Sequence, residues 1–206
     1  MATIPPSRRA AIVAGVRTPF ARAGTLFGDV PAVALARDAA RELLYRSELD
    51  GREVDEVIWG QVVVSVLTPN VGREVSLLPQ LPASVPGYSL NRACASGAQA
   101  FTNAADQIAF GHADVVIAGG AESLSDIPIL HSRRFSRILM DAGKARSLGA
   151  RLSAFSRVRP RDLIPVTPAI AEPSTGETMG QSAEKMAKEN GITREAQDRL
   201  ALMSHQ

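Results

Sequence analysis

The sequence predicts an α/β fold, a sheet with helices on its faces, and three observations support this class. Segments of strand type and helix type alternate over roughly the first 126 residues, which is the pattern of α/β proteins. Hydrophobic residues make up 45% and charged residues 21% of the 206-residue chain, the balance of a soluble globular protein. Aromatic residues are only 4%, which favours closely packed layers over a nucleic-acid surface, where stacking aromatics would be expected.

The first three elements follow from composition and spacing. The apolar run "AAIVAGV", Ala10–Val16, has the length of a strand. A helix is predicted over 31–49, because Pro31 suits a first helical turn and apolar residues recur at helical spacing, namely Val33, Ala36, Ala40, Leu43 and Leu44. The long β-branched run "VDEVIWGQVVVSV", 54–66, is typical of a strand.

The next four elements continue the alternation. "NVGREVSLLPQL" predicts a short helix that Asn70 caps and that ends near Pro79. "PGYSLNRA" is typical of a strand, and "SGAQAFTNAADQIAFG" predicts a helix that Gly111 closes. "ADVVIAGGAES" is typical of a strand that runs into a glycine turn. The predicted α/β core therefore spans residues 1–126.

The pattern changes after Ser125, and residues 127–206 are predicted to form an inserted loop subdomain followed by the start of another helix. A strongly basic stretch comes first, and the proline-rich "RPRDLIPVTPAIAEPSTGE" follows it. The last residues, "TREAQDRLALMSHQ", begin a helix that Thr193 caps. Because the sequence stops within this helix, we expect it to be the front part of a larger protein.

Composition also argues against several classes of protein. The longest apolar run, 57–67, is much shorter than the roughly 18 to 20 residues of a membrane span. The N-terminal apolar run is too short for the core of a signal peptide, which favours a cytoplasmic location. The single cysteine excludes an intramolecular disulfide and a cysteine-rich zinc site, and no metal site is predicted.

Cys94 is the one cysteine of the chain, and it lies where a predicted strand becomes a predicted helix. Unpaired backbone N–H groups and the helix macrodipole favour an anion at such a position and can later hold an oxyanion. Its neighbours are small and leave room for a substrate, namely Ala93, Ala95, Ser96 and Gly97. Gly119 and Gly120 at the end of the next strand would let another backbone approach closely.

The residues alone leave two interpretations of Cys94 open. Free cysteine is among the most buried residue types, so Cys94 could be a small core residue instead of a nucleophile. A nucleophilic cysteine also needs a base, usually histidine. The three histidines, His112, His131 and His205, stand in no motif and are predicted at the surface. Spacing therefore does not identify the base.

Five motifs resemble those of the thiolase family in their order and spacing. They are "RTPF" after the first predicted strand, "VDEVIWGQV", "NRACASGAQA", "ADVVIAGGAESLS" and "MGQSAEKMAKENGITREAQD", and together they cover nearly the whole chain. Within the family, the stretch 132–180 most resembles the β-subunits of trifunctional fatty-acid oxidation complexes. The resemblance implies a thiolase-like half, with a mixed sheet between helices, and the C-terminal half of the family fold is absent.

The resemblance implies a role for Cys94 in acyl transfer. Its thiolate would attack the keto carbon of a 3-ketoacyl-CoA, expel acetyl-CoA and pass the acyl group to a second CoA, with the Cys94 N–H in the oxyanion site. CoA is then a substrate, and no cofactor is expected. Met179 matches a family position that lines the pantetheine tunnel, although plain packing is the alternative. Gly119, Gly120 and Glu122 match the "GGAES" motif and are interpreted as architectural.

The sequence lacks two parts of the family pattern. These are the Gly-His-Pro motif, whose histidine activates the nucleophile, and a second cysteine that protonates the leaving enolate. Because nucleophile and base act as a unit, the chain alone is expected to be nearly inactive. Acetoacetyl-CoA-forming condensation and a non-catalytic CoA-binding or assembly module are the alternatives. The resemblance also implies a homodimer through the sheet edge near Cys94 and a hydratase/dehydrogenase α-subunit as a partner.

Residues 131–161, the basic segment, carry nine Lys and Arg residues against one acid, Asp141. Apolar residues recur close to helical spacing, with breaks expected at Gly143 and Gly149, and basic residues recur every seven positions on another face, at Arg137, Lys144 and Arg151. Three interpretations compete: a solvated cap over the active site, attraction of CoA phosphates, and weak docking to an anionic membrane surface or acidic subunit. Nucleic acid is not expected as a partner, because no binding motif accompanies the charge.

Overall fold

The structure, a computed structural model, describes residues 9–166 and 171–206. It divides into two compact units, the first ending at Pro128 and the second formed by Ile129–Gln206. Part of the proline-rich stretch, 167–170, lies outside the described residues. Among the helices of the described residues, none combines the length and the apolar character needed to cross a membrane.

A three-stranded sheet forms the centre of the first unit, with β1 (Glu56–Gly60) between β2 (Gly87–Leu90) and β3 (Val116–Gly120). Both pairings are parallel, so the carboxyl ends of all three strands meet at one edge. The predicted α/β class is confirmed. An antiparallel strand, which a mixed sheet requires, is not among the strands of the described residues.

Helices cover both faces of this sheet. α1 (Ala32–Ser47) and α2 (Val71–Ser76) pack on one face, and α3 (Ser96–Phe110) packs on the other. Small residues at helical spacing face the sheet in α3, which lets this helix and the strands approach closely, whereas those of α1 face the apolar cluster that it shares with α2. The buried residues are Ala32, Ala36, Ala40 and Leu44 in α1, and Ser96, Ala100 and Ala104 in α3.

β1 is buried on both sides because it is the central strand. Val57, Ile58 and Trp59 are each at most 4% exposed. Val57 and Trp59 belong to the apolar cluster that includes α1 and α2, whereas Ile58 belongs to the cluster with α3. This alternation follows from the two-residue period of a strand, and burial on both faces explains why the strand is almost entirely apolar.

The described residues of the second unit form four α-helices, and the first two of these lie in the basic segment. The four helices are α4 (Arg133–Lys144), α5 (Leu148–Phe155), α6 (Met179–Glu189) and α7 (Arg194–His205). The basic segment is interrupted at 145–147, between the expected breaks, and Gly143 and Gly149 are themselves helical. Ser147 supplies the physical reason, because its hydroxyl accepts from the Ala150 N–H and starts α5 as an N-cap.

Predicted helix ends are confirmed at three positions. The Asn70 side chain accepts a hydrogen bond of 3.0 Å from the Arg73 N–H at the start of α2. Gly111 ends α3 in the left-handed region, with φ of 73°. The Thr193 hydroxyl accepts from the Ala196 N–H at the start of α7. These ends depend on short-range contacts, which is why the sequence predicts them.

The predicted first strand over Ala10–Val16 is wrong. This run has no regular secondary structure, and Ile12 and Val13 are 84% and 90% exposed. A strand needs a neighbour that pairs with its backbone N–H and C=O groups. No strand of the described residues pairs with this run, so its apolar composition alone does not make it a strand.

β1 is also shorter than predicted, since it ends at Gly60 and not near residue 66. Its neighbours β2 and β3 end at Leu90 and Gly120, directly beside Gly60. Beyond that point, no strand of the described residues continues the ladder. The valines at 62, 64 and 66 are therefore exposed despite their high strand propensity.

Asp55 joins the start of β1 to the residues that precede β3. Its Oδ2 atom accepts hydrogen bonds from the N–H groups of Asp114, at 2.7 Å, and Val115, at 3.0 Å. The hydrogen bond from Val115 and then that from Asp114 hold the pKa of the Asp55 carboxyl below its ordinary value. The carboxylate therefore stabilises the fold above its unfolded-state pKa, and this stabilisation is lost as pH falls through the folded-state pKa.

We expect the Asp55→Asn variant to melt at a lower temperature than the wild type at pH 7, with the difference shrinking between about pH 5 and pH 2. Asparagine keeps an acceptor oxygen but does not titrate, so the variant loses only the charged form of the interaction. Thermal melts at several pH values measure this. Asp38→Asn, on the exposed face of α1, is the matched control and should show no such convergence. A constant difference at every pH would contradict the prediction.

Candidate active site

Cys94 lies at the carboxyl edge of the sheet, four residues after β2 ends and two residues before α3 begins. Its side chain is exposed, so the alternative of a buried core cysteine does not hold in this structure. Parallel α/β sheets place ligand sites at this edge, because the loops that leave the strands converge there. Sequence order and topology together therefore present the thiol at a position suited to a substrate.

The turn that carries Cys94 has an unusual backbone. Ala93 adopts a φ of 47°, in the left-handed region that residues with a Cβ rarely occupy. The N–H of Ala93 donates to Asn91 Oδ1 at 2.9 Å, and its carbonyl accepts from the Ser96 hydroxyl at 2.6 Å. Ser96 also accepts from the Arg92 N–H at 2.8 Å. Two polar side chains thus hold this turn.

Two glycines let the first turn of α3 lie directly against the ends of β1 and β3. A Cβ on Gly60 would lie 2.5 Å from the Ser96 carbonyl carbon and 2.6 Å from the Gly97 nitrogen. A Cβ on Gly120 would lie 3.1 Å from the Gly60 oxygen. The close backbone approach predicted at Gly120 is therefore present. Gly119 faces the Trp59 indole instead, where a Cβ would lie 2.9 Å from the ring.

The start of α3 offers backbone donors beside Cys94. The N-cap position is Ala95, whose side chain cannot accept a hydrogen bond. Within the described part of the chain, the N–H groups of Gly97 and Ala98 donate to no acceptor. Such groups carry the partial positive charge of a helix N-terminus and can stabilise a thiolate or an oxyanion.

The first unit brings no histidine to Cys94. His112 follows α3 at its opposite end, and a 15-residue helix is about 22 Å long. There His112 is exposed, stacks on Phe110 and contacts Gln107 Oε1 at 3.0 Å through its Nδ1, as expected of a surface residue. No other histidine precedes residue 129 in the sequence. The base is therefore absent from the first unit.

The other two histidines belong to the second unit. His131 is half-buried against the Phe135 ring, with a centroid separation of 5.0 Å, so the surface position expected for it is wrong. Its Nδ1 atom is buried and has no hydrogen-bond partner among the described residues. His205 is exposed at the end of α7, as expected.

Met179 is the first residue of α6, directly after the N-cap Thr178. Its side chain is 65% exposed. No residue of α6 is buried, so packing within the second unit does not explain the apolar side chain at this position.

Sequence reasoning missed the contacts of Asn91, Ser96 and Glu122. The Glu122 carboxylate accepts from the N–H groups of Val62, at 2.9 Å, and Val63, at 3.2 Å, and so connects the exits of β3 and β1. For Asn91 and Ser96 the residue type could have indicated these contacts, because short polar side chains in a strand-to-helix turn often form hydrogen bonds with the local backbone. The partner of Glu122, some 60 residues away, carried no such signal.

The basic segment remains largely unneutralised in the second unit. Asp162 accepts from the Arg134 guanidinium and, at 2.9 Å, from the Arg159 N–H, and Asp141 pairs with Arg157 at 2.6 Å. The remaining basic side chains have no ion pair among the described residues: Arg133, Arg137, Lys144, Arg146, Arg151, Arg159 and Arg161. This surface is suited to an anionic partner.

No group of three or more His, Cys, Asp or Glu side chains in the described residues is arranged to hold a metal ion.

Comparison with known proteins gives one consistent result. Residues 10–206 match the family described as "Thiolase, N-terminal domain". Proteins named 3-ketoacyl-CoA thiolase from Erwinia tasmaniensis and Yersinia pestis are each 50% identical over 198 residues, which is 96% of this chain and 45% of theirs. The chain thus spans less than half the length of these curated relatives.

Solved structures agree in fold. A Bacillus anthracis acetyl-CoA acetyltransferase superposes with a TM-score of 0.74 at 30% identity, over 96% of this chain and 46% of that one. A thiolase from Ascaris suum, in complex with coenzyme A, gives a TM-score of 0.72 at 26% identity, over 92% of this chain and 45% of that one.

Proposed function

Because the chain belongs to the thiolase family through its N-terminal domain, we propose that Cys94 is the acyl-accepting nucleophile of a thiolase-type acyltransferase. The observation that supports this most directly is the exposed thiol at the carboxyl edge of the sheet, three and four residues before the free N–H groups of Gly97 and Ala98. The substrate class is 3-ketoacyl-CoA, the class in the names of the 50%-identical relatives.

The reaction has two steps at one sulfur. The Cys94 thiolate attacks the keto carbon of 3-ketoacyl-CoA, the bond to the α-carbon breaks, and the acetyl-CoA enolate leaves and takes up a proton. The acyl group is then a thioester on Cys94. The thiolate of a second CoA attacks this thioester, releases the shortened acyl-CoA and regenerates Cys94. Backbone N–H groups near Cys94 would stabilise the oxyanion of the thioester steps.

The residues of the first unit supply the nucleophile without a base or a second thiol. A nucleophile separated from its base loses most of its rate, because the two act as a unit. We therefore expect acylation of Cys94 without turnover by this chain alone. The base and the proton donor would come from residues that match the rest of the relatives' length.

CoA is proposed as a substrate. Met179 would contact the pantetheine arm, for which its exposed position on α6 is suitable. The unpaired cations of the basic segment would attract CoA phosphates. The alternative partners of this basic surface are an anionic membrane surface, through a weak contact, and an acidic α-subunit. A cytoplasmic homodimer is proposed for the assembled enzyme, through the sheet edge near Cys94.

Two other functions remain distinguishable by experiment. The reverse condensation, which forms acetoacetyl-CoA, uses the same thioester, so the direction is decided by which products accumulate. A non-catalytic CoA-binding or assembly module would bind CoA without ever acylating Cys94.

The test is an intact-mass spectrum of the chain before and after incubation with acetyl-CoA. We expect a gain of one acetyl group, since the chain has one cysteine. Because the chain lacks a base, acetylation is followed until it no longer increases; if no acetyl group appears by then although iodoacetamide alkylates Cys94 readily, the acyltransferase proposal fails. CoA binding under those same conditions would then favour the binding module.

A further inference from the structure

One side chain, that of Asn91, links the turn before Cys94 to the segment that follows β1. Its Oδ1 atom accepts from the Ala93 N–H at 2.9 Å. Its Nδ2 atom donates to the Val62 carbonyl at 3.4 Å. Asn91 therefore contacts both the local backbone at Cys94 and a residue 29 positions earlier in the chain.

Val62 is itself held from the opposite side by Glu122. The carboxylate accepts from the Val62 N–H at 2.9 Å and from the Val63 N–H at 3.2 Å. β1 has already ended at Gly60, so no strand ladder binds these two N–H groups. Both polar groups of Val62 are thus bound by side chains, the N–H by Glu122 and the carbonyl by Asn91. Hydrogen bonds connected in this way act as one network.

Ala93 is the residue that needs such support. A left-handed φ is unfavourable for a residue with a Cβ and persists only where surrounding contacts hold it. The conformation of Ala93 sets the direction in which the chain enters Cys94. Loss of its hydrogen bond to Asn91 would let Ala93 relax toward ordinary φ values and move the thiol away from the N–H groups of α3.

We propose that Asn91 is a positioning residue for Cys94, anchored through Val62 by Glu122. It acts by holding Ala93 in the left-handed region, so that the sulfur stays beside the start of α3. This inference rests on the proposed function of Cys94 as the nucleophile, and it assigns the residues that orient that nucleophile.

The specific test compares the Cys94 reaction rates of single and double variants at Asn91 and Ala93. Glycine adopts a left-handed φ without steric strain, so Ala93→Gly removes the need for the support that Asn91 provides. We expect Asn91→Ala to slow acetylation of Cys94 by acetyl-CoA, and its alkylation by iodoacetamide, by about tenfold. The double variant Asn91→Ala, Ala93→Gly should recover to within about threefold of Ala93→Gly alone. If Asn91 acted on stability only, Asn91→Ala would lower the melting temperature and leave the Cys94 rates unchanged.

A second readout follows the backbone directly. Scalar couplings across the N–Cα bond of Ala93, measured by NMR on labelled chain, report φ. They should change in Asn91→Ala. Glu122→Gln should shift the same couplings by less, and it should add little in the Asn91→Ala background because both residues belong to one network.

Asn70→Ala is the matched control, since it removes an asparagine cap in the same unit. It should lower the melting temperature and leave the Cys94 rates unchanged. Unchanged rates and couplings in Asn91→Ala, or no recovery with Ala93→Gly, would overturn the proposal. If the wild type takes up no acetyl group, the proposed function fails, but the iodoacetamide rates and the Ala93 couplings still decide the role of Asn91.

Discussion

Replacing Cys94 by alanine should abolish the uptake of an acetyl group from acetyl-CoA. Alanine has no atom that can form a thioester, and the chain contains no second cysteine to replace it. Intact-mass spectra of the wild type and the variant, recorded side by side over time, measure the effect. Because Cys94 is exposed, the melting temperature should stay close to that of the wild type.

Cys94→Ser is the companion variant. Serine keeps the size of the side chain, but its hydroxyl is not ionised near neutral pH and no histidine of the first unit is near enough to activate it. We expect it to be as inactive as the alanine variant and equally stable. Uptake of acetyl by either variant at the wild-type rate would show that the group is carried by another residue, and the nucleophile assignment would fall.

Replacing Gly60 by alanine should strongly destabilise the fold, with a loss of about 3 kcal/mol of the free energy of unfolding. The added Cβ would lie 2.5 Å from the Ser96 carbonyl carbon and 2.6 Å from the Gly97 nitrogen. Both are backbone atoms, so no side-chain rotation relieves the overlap. The start of α3 has to move away from β1, and Cys94, two residues before α3, moves with it.

Urea denaturation at neutral pH measures this loss, and iodoacetamide rates report the displacement of Cys94. Gly97→Ala is the matched control, on the other side of the same contact. A Cβ there has no heavy atom within 4 Å, and alanine favours a helix over glycine by about 0.5–1 kcal/mol. The two variants should therefore change stability in opposite directions. Equal stability of Gly60→Ala and wild type would contradict the packing described for this edge.

Helix positions were predictable because their signals are short-range. Asn70, Gly111 and Thr193 end or begin helices through contacts within a few residues, and apolar spacing identified α1. The buried strand β1 was predictable from its β-branched composition, although its length was not. The place of Cys94 between a strand and a helix made it a candidate nucleophile, with a buried core residue as the alternative, and the resemblance to the family favoured the nucleophile.

The supporting contacts of the site were not predictable in the same way. Asn91 and Ser96 were recognisable as residues that bind a local backbone, but the left-handed φ of Ala93 was not. Glu122 was interpreted as architectural. Its hydrogen bond to the Val62 N–H depends on how the segments that follow β3 and β1 pack together. Such pairs combine residues some 60 positions apart, and no short-range pattern records them.

The amino-acid sequence alone was enough to predict the α/β class, the family, three helix ends and Cys94 as the candidate nucleophile, because these follow from local chemistry and ordered motifs. Only the tertiary structure decided that Ala10–Val16 is not a strand and that β1 stops at Gly60. It also decided that Asn91 and Glu122 meet at Val62. The physical reason is the same in each case: a backbone hydrogen bond needs a partner at the right place, and the position of that partner is set by the packing of distant segments.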